Sequence, residues 1–398
     1  MTMNERMTQD PEPRGTVAAG AVAAWDGVED SALRTPRHTP PAAIEILDRA
    51  VAGDRIEAPE ALLLMRETAL IDLGIAADLV RRRIHPDSVV TYIVDRNINY
   101  TNVCVVRCSF CAFYRDPGHP EGYLHSKESL FAKIEETLSL GGTGVLMQGG
   151  HHPDLSIDWY EDLLRSIRER FPSLHIHAFS PPEIDHVAKV SRLSIEEVLR
   201  RLQSAGLNSI PGGGGEILSD EVRRRISPLK TLSAGWLEVM ETAHRIGLPT
   251  TATMMFGHVE SYADRVTHMD RIRSLQDRSL ARGARGFTAF ISWTYKAENT
   301  ALGGREVSSA DYLRTQALSR IFLDNIPNIQ SSWVTQGKEI GQVALKFGAN
   351  DMGSTMIEEN VVRAAGAYGC TTRTEIERLI RDAGYVPHQR DTLYNLVT

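Results

Sequence analysis

Cysteine is scarce in this chain. Four stand among 398 residues, namely Cys104, Cys108, Cys111 and Cys370. So few excludes a disulfide framework, which spreads an even set of cysteines through a small secreted domain. A basic surplus is missing too: Lys and Arg number 44 against 51 Asp and Glu, a formal net charge of −7. Polyanion binders present a basic face, so no nucleic-acid partner is expected. Apolar runs fall well short of the roughly 18 residues of a membrane-spanning helix. Met1–Arg14 is polar and lacks the apolar stretch of a signal peptide. The expectation is a soluble cytoplasmic protein without a membrane span, its cysteines reduced and open to metal. What is present is ordinary for a globular protein, with 42% hydrophobic and 24% charged residues. The length suits two or three average domains, or one large α/β barrel with additions.

Residues 1–40 are rich in Pro, Ala, Gly and Thr without apolar periodicity and read as a disordered tail. Residues 41–88 turn helical in two segments, one with Ile44, Ile46, Leu47 and Val51 on a face, the other running from Ala61 to Leu73. They are expected to cap the main domain. From Val89 onward short β-prone runs alternate with amphipathic helices. Strands are predicted at Val90–Asn97, Gly144–Gln148, His175–Phe179, Asn208–Ile210, Thr250–Phe256, Phe287–Trp293, Ile329–Val334 and Ala349–Gly353. Helices predicted between them include Lys127–Leu140, Trp159–Phe171, Ile195–Ala205, Tyr262–Arg278 and Gly337–Lys346. Such alternation implies parallel βαβ crossovers, and eight units imply a closed (β/α)8 barrel over residues 89–355. An open doubly wound sheet is the rival, disfavoured because polar and Gly-rich clusters follow nearly every strand. Residues 356–398, with a helix at Glu375–Ala383, are expected as an extension packed on the barrel.

The cysteine triplet carries the strongest chemical signal. Cys104, Cys108 and Cys111 are spaced C-x3-C-x2-C, with Phe110 before the last. A structural zinc site pairs C-x2-C with a second pair, and none exists here. Three thiolates on one loop can instead hold three irons of a [4Fe–4S] cube, which usually takes four cysteines, leaving one iron open to a small molecule. Cys370 lies far downstream and reads as a buried structural thiol.

Further candidates gather at predicted strand ends, where barrel enzymes keep their catalytic residues. Gly149 and Gly150 close the second strand and allow close backbone approach, or simply form a turn. His151 and His152 follow. His175 and His177 share one face of the third strand, which leads to Ser180 and Glu183. Glu183 is a candidate acid or base, or equally the cap of the next helix. Gly212–Gly215 with Glu216 is not a phosphate loop, because no Gly-Lys-Ser/Thr follows; Glu216 is a candidate for ribose hydroxyls or a substrate amine. His258 and Glu260 end the fifth strand, whose Met254 and Met255 read as core. Trp293, Trp333 and Asp351 occupy further strand ends, Trp293 and Asp351 being candidates for an aromatic substrate.

The triplet resembles the fingerprint of the radical S-adenosylmethionine (SAM) enzymes. The phrases YTNVCVVRCSFCAFYR (100–115), LMQGGHHPDLSIDWYEDLLR (146–165), HAFSPPEI (177–184), TTATMMFGHVE (250–260) and FGANDMGSTMIEEN (347–360) are similar, over about residues 45–398, to the dehypoxanthine futalosine cyclase family of menaquinone biosynthesis. Aminofutalosine synthases and the deazaflavin (F420) synthases share several of these phrases and are the alternative. The resemblance implies that Cys104, Cys108 and Cys111 hold a [4Fe–4S] cluster that binds SAM. Phe110, Gly149, Gly150 and Glu216 then belong to the cofactor's surroundings, with His151, His177, Ser180, Trp293 and Asp351 toward the substrate. It also implies a reaction. A 5′-deoxyadenosyl radical takes hydrogen from C4′ of the sugar of dehypoxanthine futalosine. The sugar radical adds to the benzoate ring, and loss of a proton and an electron restores aromaticity. Glu183, Glu216, His258 and Glu260, with His151 and His152, are the candidates for the base. A flavodoxin or ferredoxin is the implied electron donor. The histidine at 151 departs from the family pattern, which has an apolar residue there.

Overall fold

The computed structural model describes Pro36, residues 38–367 and residues 369–397. Most of the expected tail (1–35 and 37) lies outside the described residues.

Three helices come first, α1 (Pro41–Ala52), α2 (Ala58–Glu67) and α3 (Leu70–Ile84). The sequence reading has two segments here. The second divides because Thr68 adopts an extended conformation (φ −84°, ψ 136°) that ends α2. The remaining elements are β1 (Val89–Ile93), β2 (Asp95–Ile98), α4 (Lys127–Ser139), β3 (Gly144–Met147), α5 (Ile157–Arg170), β4 (His175–Ala178), α6 (Pro181–Ser191), α7 (Ile195–Ala205), α8 (Asp220–Ile226), α9 (Ser233–Arg245) and β5 (Thr250–Phe256). They continue as α10 (Tyr262–Ala281), β6 (Phe287–Thr294), α11 (Ser309–Phe322), β7 (Asn328–Gln330), α12 (Trp333–Gln336), α13 (Lys338–Ala344), β8 (Asp351–Ser354), α14 (Arg373–Asp382) and β9 (Val386–Gln389). Helix α6 supplies the helix that Glu183 was expected to cap, although its range is not among the predicted helices; its opening Pro181-Pro182 fits the first helical positions, whose N–H groups lack partners anyway.

The strands form a ring of parallel pairings. One sheet runs β5-β6-β7-β8-β1-β9 and the other β2-β3-β4. The predicted first strand is one chain segment bent at Val94: its first half, β1, pairs with β8, and its second half, β2, pairs with β3. The predicted strand at 208–210 is reduced to two parallel bridges, His177–Ser209 and Ile210–Thr250, which join β4 to β5 and complete the eightfold circuit. The predicted strand over 329–334 stops at Gln330, and α12 takes over at Trp333. Strand β8 begins at Asp351, and the side chain of Asn350 just before it accepts from the Ile329 amide and donates to Asn328.

Strand β9 lies parallel to β1 on the edge away from β8. At the start of the first strand it therefore takes the place where β3 pairs further up. Helices α2 and α3 lie against the outer helices α10 and α11. Arg55 ties them down between Asp277 and Asp324 (2.7 and 2.8 Å), and Arg314 donates to the Thr68 carbonyl (2.7 Å). The main core fills the layer between strands and helices, and a second cluster, with Val90, Trp333, Ile376 and Ile380, seats α14. No helix among the described residues is long and apolar enough to cross a membrane.

Candidate active site

Side chains alternate across a strand, so every second residue of a barrel strand points inward. Here the inward positions are Asp95 and Asn97 on β2, Leu146 and Gln148 at β3, His177 on β4, Thr251 and Thr253 on β5, and Ile291 and Trp293 on β6. A packed barrel interior is filled by branched aliphatics. Most of these side chains are polar, and they line a cavity of about 290 Å³. The end nearest β9 is formed by the chain's own last residues. Arg390, Thr392 and Tyr394 line the cavity, and the guanidinium of Arg390 lies 3.9 Å from the Tyr394 ring centroid. Arg390 pairs with both oxygens of Asp351. Asp95 accepts from Ser354, and burial pushes its carboxyl up to about 6, opposed by that bond and by Arg390.

The cysteines sit on the loop that leaves β2. Arg107 turns left-handed (φ 52°) between Cys104 and Cys108, and the loop is held shut by Cys104 N–H to Arg115 O (2.9 Å) and Arg115 N–H to Asn102 O (2.8 Å). The Gly149–Gly150 turn presses on this loop. A Cβ at Gly150 would stand 2.2 Å from the Val103 carbonyl oxygen and 3.0 Å from the Cys104 Cβ, so only glycine fits. Glu183 fixes that turn. Its buried carboxylate accepts from Gly149 N–H (3.0 Å), the Tyr100 hydroxyl (2.8 Å), Ser180 N–H (2.8 Å) and the Ser180 hydroxyl (2.7 Å). Burial raises its pKa and these donors oppose the rise. The helix-cap alternative for Glu183 is thus realised, with the glycine turn as a second client, and the hydroxyl of Ser180 is spent on it. Neither side chain lines the cavity.

Glu216 follows the four-glycine loop at an unusual φ of 29° and meets Lys230 at 2.8 Å and Arg223 at 3.4 Å. Burial raises its pKa, but the two cations outweigh that and hold it below the ordinary value. Lys230 also lies 5.4 Å from the Phe110 ring centroid and is close enough to Cys108 to oppose the rise that burial imposes on its thiol, joining the glycine loop to the cysteine loop. Arg223, fully buried, donates to the carbonyls of Gly214, Gly215 and Thr231.

Other expected residues lie elsewhere. Glu260 accepts from Gly257 N–H, His258 N–H and Arg265 (2.6, 2.9 and 2.9 Å), and Arg265 goes on to Asp311. His258 contacts the Met255 carbonyl at 3.1 Å and accepts from Val259 N–H at 2.7 Å. Both side chains brace the turn after β5 and are absent from the cavity lining. His151 is buried with its ring 5.1 Å from that of His186. Asp351 is fully buried beneath Arg390 and bonded to Thr91, so it serves as the counter-ion of the floor. Cys370, expected to be buried, is exposed and lines a separate cavity with Glu359 and Arg363. Asp95, Asn97, Gln148, Thr251 and Thr253 were missed. Their signal was there to see: polar residues at period two inside otherwise β-prone runs.

The residues present fit a multi-iron cluster. Cys104, Cys108 and Cys111 share one loop, and burial pushes the Cys108 thiol up to about 12, so metal ligation is what would make it a thiolate. Among the described residues no three His, Cys, Asp or Glu converge closely enough to hold one metal ion. Three thiols on one loop can supply one thiolate to each of three irons of a cube.

Comparison with known proteins agrees with this geometry. The Radical SAM superfamily model matches residues 98–272, and that of the CofH/MqnC C-terminal region matches residues 284–398. Cyclic dehypoxanthine futalosine synthase of Halalkalibacterium halodurans is 48% identical over 88% of this chain and 94% of its own length. That of Streptomyces coelicolor is 48% identical over 88% and 87%. The 5-amino-6-(D-ribitylamino)uracil–L-tyrosine 4-hydroxyphenyl transferase of Methanothermobacter thermautotrophicus is 43% identical over 88% and 96%. Among solved structures, methylornithine synthase (PylB) superposes with a TM-score of 0.65 at 17% identity, covering 86% of this chain and 97% of that one, a likeness of fold.

Proposed function

Because the chain belongs to the radical SAM superfamily and, within it, to the cyclic dehypoxanthine futalosine synthase family, we propose that it closes dehypoxanthine futalosine into its spirocyclic product. Members of the superfamily use a [4Fe–4S] cluster and S-adenosylmethionine, which together supply a 5′-deoxyadenosyl radical when bound. Cys104, Cys108 and Cys111 would hold the cluster, three thiolates leaving a fourth iron open to the cofactor. The Gly149–Gly150 turn keeps the backbone close to that pair, and Glu183 positions the turn without reacting. Glu216 and Lys230 set the local charge beside Cys108 and Phe110.

The substrate enters the barrel. Asn97, Gln148, Thr251 and Thr253 offer donors and acceptors to sugar hydroxyls, while Trp293 gives a flat face to the benzoate ring. Arg390, Thr392 and Tyr394 close the far end, which keeps a radical away from bulk water. A small one-electron donor in the cytoplasm, such as a flavodoxin or ferredoxin, would supply the reducing electron. The observation that carries this reading is a hollow barrel with Asp95, Asn97, Gln148 and His177 in its lining, together with three thiols on the loop that leaves β2.

The test is substrate-dependent cofactor cleavage. Reconstituted anaerobically with iron, sulfide, SAM and reductant, the chain forms 5′-deoxyadenosine many-fold faster with dehypoxanthine futalosine than alone. Acceleration by an enol ether substrate instead would move the assignment to the aminofutalosine synthases.

A further inference from the structure

We infer that the proton lost from the aromatic ring on cyclisation leaves the cavity through a relay of side chains, His177 to Ser209 to His175. This rests on the functional reading above and deepens it. His175 and His177 are two apart on β4 and share its inner face. His177 lines the cavity. Its Nδ1 lies 2.6 Å from the Ser209 hydroxyl, and Nε2 of His175 lies 2.7 Å from the same oxygen. Ser209 is buried, and His175, at the start of β4 and outside the cavity lining, is half-buried like His177, so the chain links the cavity to a second partly exposed ring.

A serine hydroxyl has one proton and two lone pairs. In a continuous chain one histidine donates to Ser209 and the other accepts from it. A proton arriving at Nε2 of His177 then releases the one on Nδ1, the hydroxyl passes its own to Nε2 of His175, and His175 gives up the proton on Nδ1 to solvent. No histidine is left charged. That suits the site, because burial pushes His177 down to about 3 and His175 to about 4, so neither holds an extra proton near neutral pH.

The chemistry balances. In the ring-closed radical the C–H bond at the attacked carbon breaks and its electron pair stays with the ring. The proton goes to Nε2 of His177, and the odd electron goes to a one-electron acceptor of the iron–sulfur class. The other acids in the neighbourhood have little capacity left. Glu183 already serves four donors, Glu216 two cations, Glu260 its own turn and Arg265, and Glu359 caps three amides of residues 361–363. Asp95 is the rival, since it faces the cavity.

Two measurements decide. In the cofactor-free protein, ¹⁵N spectra of the imidazole rings, assigned with His175→Gln and His177→Gln, report the two nitrogens facing Ser209. The relay requires one protonated and one bare; two protonated nitrogens overturn it. In the reconstituted enzyme, His175→Gln, which lies outside the cavity lining, slows product formation about 100-fold, the scale of general acid–base catalysis. It changes the solvent deuterium isotope effect and leaves the substrate KM unmoved. Ser209→Ala does the same, and Ser209→Thr, which keeps the hydroxyl, restores the rate. Unchanged rates and isotope effects in His175→Gln and Ser209→Ala, with loss in Asp95→Asn, would assign the proton to Asp95. A native enzyme that makes no cyclised product refutes the functional reading instead, and the ring spectra then decide the relay alone.

Discussion

The floor of the barrel is held by one buried ion pair, and its removal has a computable effect. Arg390 is bonded to both oxygens of Asp351, whose side chain is fully buried, and stacks on Tyr394. Changing Arg390 to Met keeps bulk but leaves Asp351 as an uncompensated buried charge. Breaking such a pair costs about 3–5 kcal/mol, and loss of the stack on Tyr394 lies within that range. Asp351→Asn in the same background removes the charge, keeps one oxygen to accept from Gly353 N–H, and turns an amide N–H toward the Thr91 hydroxyl, which can accept it. The double variant should therefore recover about 2 kcal/mol relative to the sum of the singles. Urea unfolding of the four proteins of this cycle, followed by circular dichroism, measures both quantities. Acrylamide quenching of Trp293, which faces the same cavity, should rise in Arg390→Met as the floor loosens. A cost below 1 kcal/mol for Arg390→Met, or singles that simply add, would refute the idea that this pair seals the barrel.

Other outcomes follow from the same geometry. Cys104→Ala, Cys108→Ala and Cys111→Ala should each lose iron and sulfide after reconstitution, whereas Cys370→Ala, an exposed thiol apart from the loop, should keep the native iron content and visible spectrum. Gly150→Ala should displace the cysteine loop, because its methyl would meet the Val103 carbonyl at 2.2 Å; iron loading of the variant checks this. Glu183→Ala strands the Tyr100 hydroxyl and Gly149 N–H in a buried site, at a cost of about 2–5 kcal/mol in urea unfolding. For Asp95 the sign with pH is fixed. Its native pKa is raised from 3.8 to about 6, so the wild type loses stability as pH rises through that interval, by roughly 3 kcal/mol at most. Asp95→Asn should thus match the wild type near pH 3 and exceed it in stability above pH 6.

The barrel and the cysteine loop were legible because each has a local cause. Alternation of β-prone runs with amphipathic helices dictates a parallel circuit, and three cysteines within eight residues have few chemical uses. The acid candidates were less legible. Glu183, His258 and Glu260 sit at strand ends as catalytic residues do, but whether a carboxylate is free depends on distant donors: Tyr100 for Glu183 and Arg265 for Glu260. The floor was hidden for a similar reason. Arg390 lies 39 residues from Asp351, in a polar stretch that nothing local marks as barrel interior. The bend at Val94 and the insertion of β9 beside β1 are settled by pairing across almost 300 residues, beyond any local pattern. The inward polar residues of β2 and β5 were readable in principle, since period two places Asp95 with Asn97 and Thr251 with Thr253 on one face.

The central claim is that this barrel turns a radical from SAM onto the sugar of dehypoxanthine futalosine. The most direct measurement uses substrate carrying deuterium at C4′, incubated anaerobically with the reconstituted enzyme, SAM and reductant, with both products weighed by mass spectrometry. The account predicts 5′-deoxyadenosine one mass unit heavier, together with a cyclised product that has lost the label and one ring hydrogen. Unlabelled 5′-deoxyadenosine, or a product that retains deuterium at C4′, would contradict it.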